Sequence, residues 1–190
     1  MNRKRTAALA AAGACAVKRF TTFVILAVGL GVQLELHAHG AHEHGIAQLQ
    51  VAVTAGTLQM HLESPAINIV GFEHPPKDDD ERALIEKGLA DLKNPALFVL
   101  EPASACTFVK ADVTSDLATA PEQNAAPAGT GEVHADVDAD YRFTCRAPLK
   151  AIRVMLLDRF SGIESLRVQL VTDTDQRSLT LDKTNTTIPL

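Results

Sequence analysis

The 190-residue sequence has no tryptophan and one tyrosine, Tyr141, and aromatic residues make up only 4% of it. A surface that stacks bases or sugar rings needs exposed aromatic faces, so recognition of single-stranded nucleic acid or carbohydrate in that way is excluded. The chain also lacks an H-E-x-x-H helix, a G-x-S-x-G elbow and a glycine-rich phosphate loop, which removes the readiest hydrolase and nucleotide-binding readings. No enzyme activity is expected. Cysteine is scarce, with Cys15, Cys106 and Cys145 the only three. No uncharged apolar run approaches the ~20 residues of a membrane-spanning helix, since the strongly apolar stretch is confined to Phe23–Val32.

That stretch follows a basic start, Arg3, Lys4 and Arg5, and a second basic pair, Lys18 and Arg19. Basic residues, an apolar core and then small residues form an export-signal pattern. Ala38 offers a small residue for cleavage, so residues 1–38 are expected to be a signal peptide and residues 39–190 a single periplasmic domain. An uncleaved segment would act instead as a membrane tether. Cys15 precedes the apolar core, which argues against a lipid-anchored cysteine. Residues 1–38 hold five of the 18 Lys and Arg but one of the 23 Asp and Glu, so processing takes the net charge from −5 to −9. An acidic domain repels phosphate backbones and attracts cations. Nucleic acid is therefore not an expected partner, nor is the membrane once the signal is removed.

Cys106 and Cys145 survive processing into an oxidising compartment and are expected to be bonded to each other. The alternative is that both thiolates join histidines around a metal. Alternation of apolar and polar residues marks two strands, Ile46–Val53 with Leu49, Val51 and Val53 inward, and Thr57–Glu63 with Leu58, Met60 and Leu62 inward. Thr54-Ala55-Gly56 joins them as a hairpin turn. Pro65 closes the second strand, Ala66–Phe72 is apolar enough to pack, and Pro75-Pro76 extends the chain before a helix over Asp78–Lys93. The acidic first turn, Asp78 to Glu81, suits the helix dipole without any further role.

Further on, Ala105–Val113 reads as a strand carrying Cys106, Phe108 and Val109 into the core, and Val137–Arg146 as a strand carrying Tyr141, Phe143 and Cys145. Between them, residues 114–136 are rich in Ala, Pro, Gly, Thr and Asp without apolar period, the composition of a mobile loop. Leu149–Phe160 mixes strand and helix signals and is expected to be helical near its end. Ser165–Val171 and Arg177–Leu181 form a terminal hairpin around Thr172–Asp175. The fold class expected is α+β, a mainly antiparallel sheet with one or two packed helices and one disulfide.

Six of the seven histidines lie beyond residue 38, and His39, His42 and His44 fall within its first six residues. Neutral imidazoles are common ligands for borderline metals, and on an extended chain His42 and His44 point to the same side. A His-rich polar terminus without a ligand role would read the same way. A second candidate pairs Glu73 with His74 just after the apolar segment, although such a pair is often simply solvated. His61 and Glu63 share the outward face of their strand and could supply a site or merely face water. In a third candidate, His134, Asp136, Asp138 and Asp140 alternate along one edge that attracts cations, as a solvated strand edge also does.

The run His42-Glu43-His44-Gly45 leads into an alternating strand, followed by Leu62-Glu63-Ser64-Pro65-Ala66 through Asn68-Ile69-Val70-Gly71-Phe72-Glu73-His74. Cys106 and then Tyr141-Arg142-Phe143-Thr144-Cys145 with Pro148 complete the pattern. Together these resemble the ZrgA-type family of zinc-regulated periplasmic zinc-binding proteins, over essentially the whole of residues 39–190. The resemblance implies zinc binding in support of zinc uptake, without known catalysis, with a zinc transporter or its periplasmic component as partner. It carries over to His42, His44, Glu73 and His74 as motif positions. Many relatives have a histidine-rich central loop, whereas residues 114–136 hold only His134, which implies few ordered sites rather than high-capacity storage. Zinc is thus the expected ligand. The alternatives are a structural or interaction module with incidental histidines, and copper or nickel capture by the amine and imidazole of His39.

Overall fold

A computed structural model describes residues 43–119 and 134–190. The leader expected over residues 1–38, together with His39 and His42, lies outside the described residues. The first hairpin forms as its alternation dictates. Strand β1 (Ile46–Thr54) pairs antiparallel with β2 (Thr57–Pro65), and Gly56 takes the positive φ of +89° that the tight turn requires. Leu49, Val51, Leu58, Met60 and Leu62 are all buried on one face.

Helix α1 (Ala66–Val70) follows directly, and Gly71, at φ +93°, ends it in the left-handed conformation open to a residue without Cβ. Helix α2 (Asp79–Leu92) starts on the Asp78 carboxylate, which accepts the Glu81 amide at 2.9 Å, while Glu81 Oε2 accepts the Lys77 amide at 2.7 Å. These side chains satisfy amides that have no partner within the helix. Ile85 and Leu92 face the core as the helical spacing predicts, and Gly88 lies so close to α1 that an added Cβ would stand 2.9 Å from Val70. At the far end of α2, Asp91 meets Lys87 at 2.8 Å and Arg159, and these contacts hold its carboxyl below the usual range.

Strand β3 (Phe98–Glu101) precedes β4 (Cys106–Ser115), the short helix α3 (Asp116–Thr119) and β5 (Asp136–Cys145). Strand β6 (Ala151–Val154) then leads into helix α4 (Leu156–Arg159), β7 (Ser165–Thr172), β8 (Gln176–Asp182) and β9 (Thr187–Pro189). Six strands form one sheet in the order β4-β5-β2-β1-β7-β8, antiparallel throughout except for the parallel pair β1 and β7. Strands β3, β6 and β9 form a smaller antiparallel sheet. Residues of both sheets and of α2 and α4 share one apolar core. Tyr141 is buried at the centre, its hydroxyl donating to the Leu92 carbonyl at 2.8 Å and its ring edge-on to Phe98 at 4.7 Å. The expected α+β class and mainly antiparallel sheet are what the chain adopts.

Three expectations change in detail. Val109 does not enter the core and is 52% exposed, because a bulge between Phe108 and Lys110 adds one residue to β4 and leaves Val109 outside the ladder. The mobile loop expected over residues 114–136 is ordered at both of its described ends, and its residues 120–133 lie outside the described residues. Thr114 and Ser115 pair with Asp138 and Val137, Leu117 of α3 is buried, and Asp136 already belongs to β5, its amide donating to Asp116 Oδ2 at 3.2 Å. Leu149–Phe160 resolves into a short strand and a single helical turn, which explains its mixed pattern.

Candidate metal centre

Cys106 and Cys145 lie opposite each other across β4 and β5 and form the expected disulfide, with an S–S distance of 2.06 Å. Thiolate ligation by this pair is thereby overturned, because both sulfurs are consumed in the bond. The nitrogen and oxygen donors remain.

Around α1 the chain brings three candidate residues from separate segments together. At the start of the helix the Ala66 amide donates to Ala135 O at 2.8 Å, which fixes the residue next to His134. Upstream of β1, residues Glu43–Ile46 turn tightly, the Ile46 amide reaching Glu43 O at 3.0 Å, and set His44 beside the same helix. At the end of the helix, Gly71 redirects the chain into Phe72-Glu73-His74. The rings of Phe72 and His74 stack at 4.8 Å, while the intervening Glu73 meets His44 and His134.

Glu73 is the focus. Its Oε2 lies 3.6 Å from His44 Nε2 and 3.6 Å from His134 Nδ1. The side chain is only 11% exposed, and Oε1 is buried without a hydrogen-bond partner. A separation of 3.6 Å exceeds a good N–H···O hydrogen bond of about 2.7–3.2 Å. It is close to the ~3.4 Å edge of a tetrahedron of N and O donors about zinc, given bonds of about 2.0–2.1 Å. Among the described residues, no group of three or more His, Cys, Asp and Glu is arranged to hold a metal as it stands. The three side chains are neighbours around one carboxylate, short of a finished coordination shell. The side chains of His44 and His134 are 60% and 42% exposed.

His74, read together with Glu73 from sequence, faces elsewhere. Its Nδ1 lies 3.0 Å from Pro75 O and 3.7 Å from Glu81 Oε2, and its Nε2 lies 3.1 Å from Lys77 Nζ, a cation. Asp138 also belongs to another group. On the open face of the large sheet, β2 and β5 place His61 opposite Asp140 and Glu63 opposite Asp138. His61 Nδ1 lies 3.0 Å from Asp140 Oδ1, and Nε2 lies 3.8 Å from Asp138 Oδ1. Burial raises the Asp138 carboxyl above its usual value, and neighbouring Glu63, Asp116 and Asp140 add to this while His61 opposes it. Strand parity put His61 and Asp138 outward, but their pairing required knowing that β2 and β5 are neighbours. Asp136, between the two groups along β5, is tied to Asp116 through its backbone amide.

This arrangement defines a disulfide-closed α+β domain that gathers imidazole and carboxylate donors at one end of its sheet, a donor set suited to borderline divalent cations. The chain belongs to the ZrgA family of zinc uptake proteins, whose family model matches residues 41–190. No curated protein matches it. No helix among the described residues is long and apolar enough to cross a membrane.

Proposed function

We propose that this protein binds zinc in the periplasm and serves zinc uptake by holding and releasing the ion, without catalysis. The observation that carries this reading is Glu73, a nearly buried carboxylate with one oxygen between two imidazoles and the other without a partner. A desolvated carboxylate is costly unless compensated, and a divalent cation shared with His44 and His134 compensates it. Glu73 supplies the charge, and His44 and His134 supply neutral nitrogen donors. A fourth position is left for water or for His42, two residues before His44, with His39 further along the same segment. Small movements of two partly exposed rings complete the shell, which suits an ion that must later leave. The recipient is a zinc transporter or its periplasmic component. The family membership and the acidic net charge of −5 agree with this role.

Calorimetric zinc titration of the metal-free mature protein tests the reading. His44→Ala and His134→Ala are each expected to weaken binding by at least about tenfold, because each removes one of about four ligands. Affinity should also fall on acidification, since ligating imidazoles must be deprotonated. Unchanged affinity and stoichiometry in both variants would refute this site and redirect attention to the group around His61.

A further inference from the structure

We infer that Asn68 is a positioning residue for the zinc site, acting through His44; the inference rests on the site proposed above. Asn68 sits inside α1, a helix of five residues, and is only 4% exposed. Its side chain spends every contact on other elements. Oδ1 accepts the Gly45 amide at 2.8 Å, and Nδ2 donates to the Ile46 carbonyl at 3.0 Å and to Ser64 Oγ at 3.2 Å. The amide group thus acts as a peptide group can, accepting from the N–H of one residue and donating to the C=O of the next.

These bonds bear on His44 because the residue held is the next one in the chain. The other side of Gly45 is held too, its carbonyl accepting the amides of Glu164 at 2.7 Å and Ser165 at 3.0 Å. Gly45 has φ +81°, a conformation that a residue with a side chain rarely adopts, and a Cβ there would press on the Glu164 carboxyl at 3.3 Å. On the other side of His44, the Glu43 carbonyl accepts the Ile46 amide at 3.0 Å, and the exposed Glu43 side chain meets Arg167 at 2.7 Å. The backbone on both sides of His44 is therefore anchored while its ring is exposed, and Asn68 is the anchor that comes from the same helix that delivers Glu73. Asn68 is itself seated tightly, since a Cβ on Gly162 would lie 2.6 Å from its carbonyl oxygen. One short helix thereby sets the distance between the carboxylate and the imidazole, with Asn68 at its middle and Gly71 at its end.

A supporting residue of this kind changes affinity rather than ligand number, by about 10- to 100-fold where such contacts orient a metal ligand. The test is a double-mutant cycle read by competition of the full mature protein with a zinc chelator. Asn68→Ala is expected to keep the wild-type zinc stoichiometry at saturation and to weaken affinity within that range. In a His44→Ala background the same substitution should have no further effect, because the residue it positions is gone. An equal loss in both backgrounds would mean that Asn68 acts on the fold at large, and the inference would fail. Should Asn68→Ala not fold, Asn68→Asp carries the same cycle. It keeps the acceptor for Gly45 but loses the donor to Ile46, and its added negative charge would by itself attract the cation. A fall in affinity that vanishes without His44 therefore reports geometry, and an unchanged or raised affinity overturns the inference. If His44→Ala and Glu73→Gln leave zinc binding intact, the site reading itself has failed. If they weaken it and the Asn68 variants do not, only the role of Asn68 has failed.

Discussion

Replacing Glu73 by Gln separates the cost of the site from its purpose. In the metal-free protein the carboxylate keeps one oxygen buried without a hydrogen bond, and its two imidazole neighbours stand at 3.6 Å, beyond good hydrogen-bond range. Removing the charge therefore relieves desolvation and forfeits only weak, partly exposed pairings, so metal-free stability should stay within about 1 kcal/mol of wild type. Zinc should reveal the difference. At a free zinc concentration 1,000 times Kd, binding stabilises the native state by about 4.1 kcal/mol. If the amide weakens binding about 100-fold, the same zinc concentration is about 10 times Kd and contributes about 1.4 kcal/mol. For a domain of about 150 residues each kcal/mol moves Tm by about 2–4 °C. The zinc-induced rise should thus shrink from about 8–16 °C to about 3–6 °C. Scanning calorimetry of both proteins with chelator and at matched free zinc measures this. An equal zinc-induced rise in Glu73→Gln, with metal-free Tm unchanged, would refute Glu73 as the anchor of the site.

Three further expectations concern the framework. Replacing Cys106 and Cys145 together by Ala should cost about 4 kcal/mol by chain-entropy reasoning for a sequence separation of 39, and an unchanged denaturant midpoint would contradict it. The Asp138 carboxyl, raised by burial, should titrate above free aspartate in carbon-detected NMR. A carboxyl pKa that is higher in the folded state means that the native protein binds more protons than the unfolded chain between the unfolded and folded values. The Asp138 contribution therefore disfavours the fold as pH rises through that window, and Asp138→Asn should gain stability at neutral pH but not below both values. Gly162→Ala should destabilise by about 1–3 kcal/mol, because its Cβ would meet the Asn68 backbone at 2.6 Å; wild-type stability by urea unfolding would show that α1 can shift.

Much of the framework was legible because it is written in short-range pattern. The alternation of Leu49 and Val51 and of Leu58, Met60 and Leu62 decides which side of each strand is buried, and Gly56 marks the turn between them. Asp78 and the spacing of Ile85 and Leu92 locate α2 to within a residue at each end. The disulfide followed from counting cysteines beyond residue 38. Strands β3 and β9, with four and three residues, are too short to show a period, and the bulge that expels Val109 depends on its partner strand.

The candidate site divides along the same line. Residue type and local spacing determined which side chains could hold a cation: His44, Glu73, His134 and the outward row of β5. Which of them meet was decided by tertiary structure alone, since His44, Glu73 and His134 stand in three separate segments and converge only when α1 seats against the chain entering β1 and the chain entering β5. The neighbouring pair Glu73 and His74 is divided as well, His74 stacking on Phe72 and meeting Lys77 and Glu81 while Glu73 meets His44 and His134. Likewise His61 acquires Asp138 and Asp140 because β2 pairs with β5, a choice set by long-range hydrogen bonding that no local window of sequence contains. Periodicity tells a residue which face it occupies, and only the pairing of strands and the seating of one short helix tell it which neighbours it has.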